Sequence, residues 1–131
     1  MTQSAVLLKN ITLTLPSRAG NVEILRGVDL SVNAGEAIGI VGPSGSGKTS
    51  LLMLIAGLER ATAGTLEVAG TSLKDKNEDA LAAFRRDTIG IIFQSFHLIP
   101  TMTALENVSV PLDFKGVANA IQMAEEKLKR V

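Results

Sequence analysis

The chain has 131 residues, with 13 basic and 13 acidic side chains and no net charge. This balance argues against a nucleic-acid interface, which needs a surplus of Lys and Arg, and against electrostatic docking on anionic lipid. The absence of Cys excludes disulfides and thiolate zinc sites, and the single His, His97, argues against a histidine metal cluster. The longest apolar run, 51–56, is too short to span a bilayer, and residues 1–4 do not resemble a signal peptide. We therefore expect a cytoplasmic chain.

The first third of the chain predicts strands and turns. Residues 11–15 alternate between apolar side chains and threonines, which is the period of a half-buried strand. A loop is expected at 16–21, a second strand at 24–32 and a turn at Ala34–Gly35. The short apolar run 37–41 is typical of a strand that helices cover on both faces.

The rest of the chain alternates helices and strands. A helix should begin near Lys48, with an apolar face formed by Leu51, Leu54, Ile55 and Leu58. A strand is expected at 65–68, a helix at 77–86, a buried strand at 88–93 and a loop at 94–102. Thr103 and Glu106 have the spacing of a capping box. A last amphipathic helix, 118–131, would bury Ile121, Ala124, Leu128 and Val131. This alternation favours an α/β fold with a parallel sheet.

The glycine-rich turn at 42–49 reads Gly-Pro-Ser-Gly-Ser-Gly-Lys-Thr, which satisfies G-x-x-x-x-G-K-[ST] at every fixed position. Glycines let the backbone approach phosphate oxygens closely, and the amides of 44–49 point at the β-phosphate beside a helix N-terminus. Lys48 would reach the β- and γ-phosphates, the Thr49 hydroxyl would bind Mg²⁺, and Ser50 would reach the α-phosphate. The pattern therefore predicts a P-loop for a nucleoside triphosphate, with ATP preferred.

Two other interpretations of this turn are weaker. A glycine-rich turn between a strand and a helix can bind nothing, but the full pattern and both flanks disfavour that hypothesis. A dinucleotide fingerprint requires glycine at the third position of G-x-G-x-x-G, where this chain has Ser50, and Lys48 is foreign to it.

The order of motifs resembles the nucleotide-binding subunit of an ABC transporter. The stretches that carry the resemblance are 42–52, Ala56–Glu59, Ala63–Leu66 and Ile89–Gln94. Two further stretches, Phe93–Pro100 and Thr103–Val108, resemble the bacterial branch of lipoprotein-releasing and macrolide-exporting ATPases. The resemblance covers nearly the whole chain and implies a P-loop NTPase fold of the ABC-ATPase type. That fold has an N-terminal antiparallel β part, a parallel core sheet, here incomplete, and the start of a helical subdomain.

The resemblance assigns roles to individual residues. Gln94 is expected to be the Q-loop glutamine, a ligand of Mg²⁺ that also helps to place the attacking water; the other interpretation is a polar residue that ends a strand. Lys48 and Gln94 are then the catalytic candidates, and Thr49 and Gln94 the metal ligands. The expected nucleotide-binding residues are Gly42, Pro43, Ser44, Gly45, Ser46, Gly47, Lys48, Thr49, Ser50 and Leu15.

Leu15 marks a departure from the family. By its distance from the P-loop it occupies the position where the family places an aromatic residue that stacks on adenine. Leucine packs on the base without a π face, and the loss is worth on the order of 1 kcal/mol.

The resemblance also implies partners. The loop after Gln94 would face membrane-spanning transporter subunits through Phe96, His97, Leu98 and Ile99, although these side chains are also compatible with ordinary loop packing. A second ATP-binding subunit would complete a homodimer, and the complex would lie on the cytoplasmic face of the inner membrane. About residues 1–94 would form the β part and P-loop core, and about 95–131 the Q-loop and the start of the helical subdomain.

No signature sequence, Walker B strand, catalytic Glu or switch His is found in the 131 residues. We therefore expect a partial nucleotide-binding domain that binds Mg·ATP without turnover. The alternatives are a non-catalytic remnant that only occupies a membrane partner, or another P-loop NTPase, such as a kinase or GTPase.

Overall fold

The computed structural model describes residues 4–131. The first part of the fold contains four strands, β1 (Ser4–Ser17), β2 (Gly20–Asn33), β3 (Ala63–Val68) and β4 (Thr71–Ser72). They form one antiparallel sheet in the order β2-β1-β3-β4. The strands predicted at 24–32 and 65–68 are confirmed, and both are longer than predicted.

The alternation predicted for the first strand is confirmed, because Ile11 and Leu13 are almost completely buried and Leu15 is half-buried. The loop predicted at 16–21 is wrong because it is too long. Ser17 pairs with Gly20, so a two-residue turn joins β1 to β2. The antiparallel ladder continues to this turn and holds residues that composition alone assigns to a loop.

The register between β1 and β2 shifts near the end of this hairpin. Leu13 pairs with Leu25, but the next residue of β1, Thr14, pairs with Glu23. Ile24 is therefore an extra residue in β2. One extra residue in one strand of an antiparallel pair is a β-bulge, which bends the strand and increases its local twist.

Two helices accompany the sheet, α1 (Lys48–Ile55) and α2 (Glu78–Thr88). Leu51 and Leu54 of α1 are buried as predicted. Leu58 is not on that face, because α1 ends at Ile55 and Leu58 is exposed. The core of this part of the fold consists of Leu8, Ile11, Leu13, Leu25, Val32, Leu51, Leu54, Leu66, Val68, Leu73, Leu81 and Phe84.

The predicted buried strands at 37–41 and 88–93 are wrong for this structure. Neither segment belongs to a strand, and no parallel pair forms among residues 4–131. Val41 is 93% exposed, and Ile92 is fully exposed. A strand of a parallel sheet requires partners beside it and helices on both faces, and neither segment pairs with a neighbour.

The last part of the chain contains α3 (Ala104–Phe114) and α4 (Ala120–Leu128), which pack on each other. Ser109, Ala120 and Ala124 are buried, and these small side chains allow the helices to approach closely. The apolar face predicted for 118–131 is wrong at Ile121 and Val131, which are exposed. The buried face of α4 follows the four-residue spacing of its alanines instead.

The backbone divides into two compact units, one ending at Arg85 and one spanning Arg86–Val131. The first unit holds the sheet and the glycine-rich turn, and the second holds Gln94 and the last two helices. Within the described part of the chain, no helix has the length and apolarity needed to cross a membrane.

Candidate functional site

The glycine-rich turn leads directly into α1. Gly47 is the N-cap residue, with φ 93° and ψ 6°, and Gly45 has φ 79°. Both residues are in the left-handed region, where a side chain is disfavoured. The two glycines are therefore required by the backbone path of this turn.

Gly47 is also held by close packing against the bulge in β2. A Cβ atom on Gly47 would lie 2.9 Å from Leu25 Cδ2 and 3.2 Å from the Ile24 carbonyl oxygen. Backbone cannot move aside as a flexible side chain does. The extra residue in β2 thus fixes the start of α1, and only glycine fits there.

Gly45 has different surroundings. A Cβ atom on Gly45 would meet no other atom within 4 Å. Its left-handed backbone disfavours a side chain, whereas the space beside it is open. This open space lies where the sequence predicts phosphate.

The ammonium group of Lys48 is folded over the turn. Lys48 Nζ donates to the carbonyl oxygens of Gly42, at 2.8 Å, and Pro43, at 2.7 Å, and it lies 3.4 Å from Ser46 Oγ. The amide of Ser46 donates to Pro43 O at 3.2 Å, which closes the turn. A cation is thus held at the mouth of the loop by neutral oxygens, and a stronger acceptor such as a phosphate would attract it.

The first amides of α1 are available to a ligand. An α-helix leaves its first N–H groups without an intrahelical acceptor, and Gly47 provides no side-chain cap. The first turn also contains no acidic residue. An anion therefore meets N–H donors, a helix dipole and a cation without a competing carboxylate.

An open depression of about 600 Å³ lies over these groups. Its size and its donor set suit a triphosphate, and the Thr49 hydroxyl supplies the kind of oxygen ligand that Mg²⁺ prefers. The residues that line it are Ile24, Ser44, Gly45, Gly47, Lys48, Thr49 and Ser50. Six of the nine predicted P-loop residues thus line the depression, and the other three, Gly42, Pro43 and Ser46, surround the ammonium group of Lys48.

Leu15 lies in the same unit, near the turn of the hairpin. It pairs with Val22, which is two residues from the Ile24 that lines the depression. Leu15 is half-buried and Val22 is exposed. The two side chains offer an apolar surface without an aromatic ring.

Gln94 lies in the second unit and is exposed. It begins the predicted loop, which is confirmed as a segment without helix or strand. Two consecutive loop residues, Phe96 and His97, have left-handed backbones with φ 58° and 52°. The ring of His97 lies against that of Phe93, with centroids 4.4 Å apart.

Sequence reasoning missed two contributors. Ile24 lines the depression and blocks a Cβ on Gly47, but in the sequence it is simply an apolar strand residue. Asn107 bonds the loop after Gln94 through its side chain. Its position four residues after the helix cap Thr103 was the available signal, because residues four apart share one helix face.

The ABC transporter family model matches residues 25–131. The macrolide export ATP-binding/permease protein MacB of Shigella flexneri is 41% identical over 126 residues, which cover 95% of this chain and 19% of that protein. MacB of Escherichia coli strain K12 has the same identity and coverage. This chain therefore spans about a fifth of the length of these relatives.

Among solved structures, the ATP-binding cassette MJ0796, in a dimeric post-hydrolysis state bound to ADP and Pi, superposes with a TM-score of 0.87. The match has 40% identity and covers 95% of this chain and 56% of that one. MJ0796 is described as a bacterial ABC transporter cassette. Together with the family match, this agreement in sequence and fold leads to one conclusion: the chain belongs to the ABC transporter family and has the α/β P-loop fold of its ATP-binding cassette.

Proposed function

We propose that this chain is the ATP-binding part of a bacterial ABC transporter and that residues 42–50 bind the phosphates of ATP. The observation that carries the proposal is the combination of Lys48, Thr49 and uncapped helix amides around an open depression. Lys48 exchanges its carbonyl acceptors for phosphate oxygens when the nucleotide binds. We propose hydrolysis for the assembled cassette. This chain covers 56% of the MJ0796 cassette that it matches.

Magnesium binding is assigned to Thr49 and Gln94. Thr49 lines the depression, and Gln94 is an exposed residue. The bound ion would neutralise phosphate charge during transfer to water.

We propose that the side chain of Leu15 contacts the adenine base. Its pairing with Val22 supports this assignment, because Val22 is two residues from Ile24, which lines the depression. Aliphatic contact is less base-selective than aromatic stacking. We therefore expect this site to discriminate weakly between purine triphosphates.

We propose that the membrane partner binds the loop after Gln94. Phe96 is 81% exposed and Leu98 is 67% exposed. Neighbouring apolar side chains in water raise the free energy of the protein unless another surface covers them. The relatives are ATP-binding/permease proteins, so a permease portion is the occupant we propose. A second ATP-binding cassette would complete a dimer like that of MJ0796. We propose that this assembly lies on the cytoplasmic side of the inner membrane.

The nucleotide proposal is tested by thermal unfolding of this chain with and without Mg·ATP. At a concentration of about 100 times Kd, the ligand should stabilise the fold by roughly 2.7 kcal/mol. Lys48→Ala should abolish the shift, and Lys127→Ala, which changes an exposed lysine of α4, should retain it. A shift that survives Lys48→Ala, or no shift in the unsubstituted chain, contradicts the proposal.

The transport proposal is tested in a chimera. The 126-residue segment of the Escherichia coli K12 macrolide exporter that matches this chain is replaced by the sequence of this chain. We expect the chimera to restore macrolide export in cells that lack the exporter, and Lys48→Ala in the chimera to abolish export. A chimera that is expressed and binds Mg·ATP without exporting would show that the match does not extend to coupling.

A further inference from the structure

The side chain of Asn107, in the first turn of α3, makes several hydrogen bonds to the loop that precedes this helix. Its Oδ1 accepts from the amide of Ile99 at 2.7 Å, and its Nδ2 lies within bonding distance of the carbonyl oxygens of Thr103, at 2.9 Å, Met102, at 3.1 Å, and Ile99, at 3.2 Å. The amide nitrogen has two hydrogens and three nearby acceptors, so at least one hydrogen is shared between two carbonyl oxygens. One side chain on the first turns of α3 thus holds both ends of residues 99–103.

These contacts require an amide. The group must accept one hydrogen bond and donate others from the end of a short side chain. Aspartate would place a charged acceptor against three carbonyl oxygens, and alanine would leave the amide of Ile99 without its partner. Asparagine is the residue type that satisfies this arrangement.

The backbone just before the segment that Asn107 holds is strained. Phe96 and His97 both have positive φ, and bulky residues adopt that conformation only where the surroundings impose it. The amide of His97 donates to Ser95 O at 2.6 Å, and the amide of Met102 to Ile99 O at 3.1 Å. The backbone is thereby folded tightly on both sides of the exposed side chains.

This folding presents an apolar loop surface, defined here as Phe96, Leu98, Ile99 and Met102. All of these side chains are exposed. A free loop of this composition would turn its apolar side chains inward or sample many conformations. Asn107 anchors the backbone of Ile99 and Met102 directly, and Phe96 and Leu98 come just before this anchored segment. A backbone held in one arrangement lowers the entropy cost of binding.

We propose that Asn107 is a positioning residue that fixes the apolar loop surface for its permease partner. The inference rests on the proposed function, in which this loop contacts the permease portion. It adds that the contact depends on a hydrogen-bonded anchor outside the contact surface. Loss of Asn107 should therefore weaken coupling while the loop keeps all its apolar side chains.

A purely structural role for Asn107 is the competing explanation, and it makes a different prediction. Hydrogen exchange of backbone amides in this chain separates the two. In Asn107→Ala, the amide of Ile99 should exchange at least tenfold faster, whereas that of Met123 in α4, which donates to Asn119 O, should keep its rate. Equal acceleration at both amides, or none at Ile99, overturns the proposal.

The matched control is Asn119→Ala, since Asn119 caps α4 without a side-chain hydrogen bond. In the macrolide-exporter chimera, Asn107→Ala should reduce export at least tenfold relative to Asn119→Ala. The Kd for Mg·ATP should agree within twofold between the two variants. Equal export by the two variants overturns the proposal, as does a parallel loss of export and nucleotide affinity.

The two proposals fail in distinguishable ways. If the unsubstituted chimera does not export, the proposed function is contradicted, and the exchange rates still decide whether Asn107 fixes the loop. If the chimera exports and Asn107→Ala exports equally well, only the positioning role is contradicted.

Discussion

The carbonyl oxygen of Ile24 lies 3.2 Å from the position that a Cβ atom on Gly47 would occupy. One residue belongs to a bulge in β2, and the other is the N-cap of α1. The P-loop is therefore supported by the hairpin that precedes it in the chain. This contact predicts which glycine substitutions the loop tolerates.

Gly47→Ala should lower the free energy of unfolding by roughly 2–5 kcal/mol, since it combines a left-handed backbone with a clash against β2. Gly45→Ala is the matched control, because it has a similar φ and open space around it. Its cost should be roughly 1–2 kcal/mol. Chemical denaturation of both variants measures the difference, and equal costs would show that the bulge does not support the loop.

Thr49 is predicted to bind magnesium through its hydroxyl. Thr49→Ser keeps this oxygen and should retain the dependence of ATP affinity on Mg²⁺, whereas Thr49→Ala should lose at least tenfold in affinity, about 1.4 kcal/mol, when Mg²⁺ is present. Calorimetric titration with ATP in Mg²⁺ and in EDTA gives both values. A Thr49→Ala variant that responds to Mg²⁺ as the unsubstituted chain does would remove Thr49 from the metal site.

Leu15→Tyr should restore an aromatic surface beside Val22. Stacking on adenine would strengthen ATP binding by about 0.5–1.5 kcal/mol, or roughly two- to tenfold. The gain should appear for ATP and be absent for inorganic tripolyphosphate, which has no base. An equal gain for both ligands would place the effect at the phosphates and would contradict the assignment of Leu15.

The capping box of α3 predicts a pH dependence. Hydrogen bonds from the backbone and side chain of Thr103 lower the pKa of Glu106 below its ordinary value. A carboxylate whose folded pKa is depressed contributes stability above its unfolded pKa, about 4.3, and this contribution is lost as pH falls through the folded pKa.

Glu106→Gln tests this dependence, because glutamine also completes a capping box but does not titrate. The difference in stability between the two chains should be constant near neutral pH and should shrink in acid, as thermal unfolding at a series of pH values would measure. A difference that is unchanged between pH 7 and pH 3 would contradict the lowered pKa.

Much of the fold was predictable because its signals are local. The alternation at 11–15, the glycine pattern at 42–49 and the capping box each depend on residues a few positions apart. The P-loop is the extreme case, since phosphate binding requires particular glycines at particular spacings. For these features, sequence and structure agree.

The features that were not predictable depend on distant residues. The apolar runs at 37–41 and 88–93 look like strands, but a strand forms only where another strand pairs with it, and neither run has a partner among residues 4–131. The buried face of α4 is set by close contact with α3, which favours Ala120 and Ala124 over the larger Ile121. Likewise, the four-residue spacing between Thr103 and Asn107 indicates their contact, but it does not show that Ile99 also lies within reach of the Asn107 side chain.

The bulge at Ile24 has a consequence for how this hairpin can vary in length. The bulge accommodates one extra residue in β2. A further insertion or deletion in β2 between the turn and Ile24 would move every side chain between them to the opposite face of the sheet. The turn at Arg18 and Ala19 has no such restriction, since doubling a loop costs only about 0.6 kcal/mol. Related chains should therefore differ in length at this turn, and a fluorescent label inserted there should leave the nucleotide site intact.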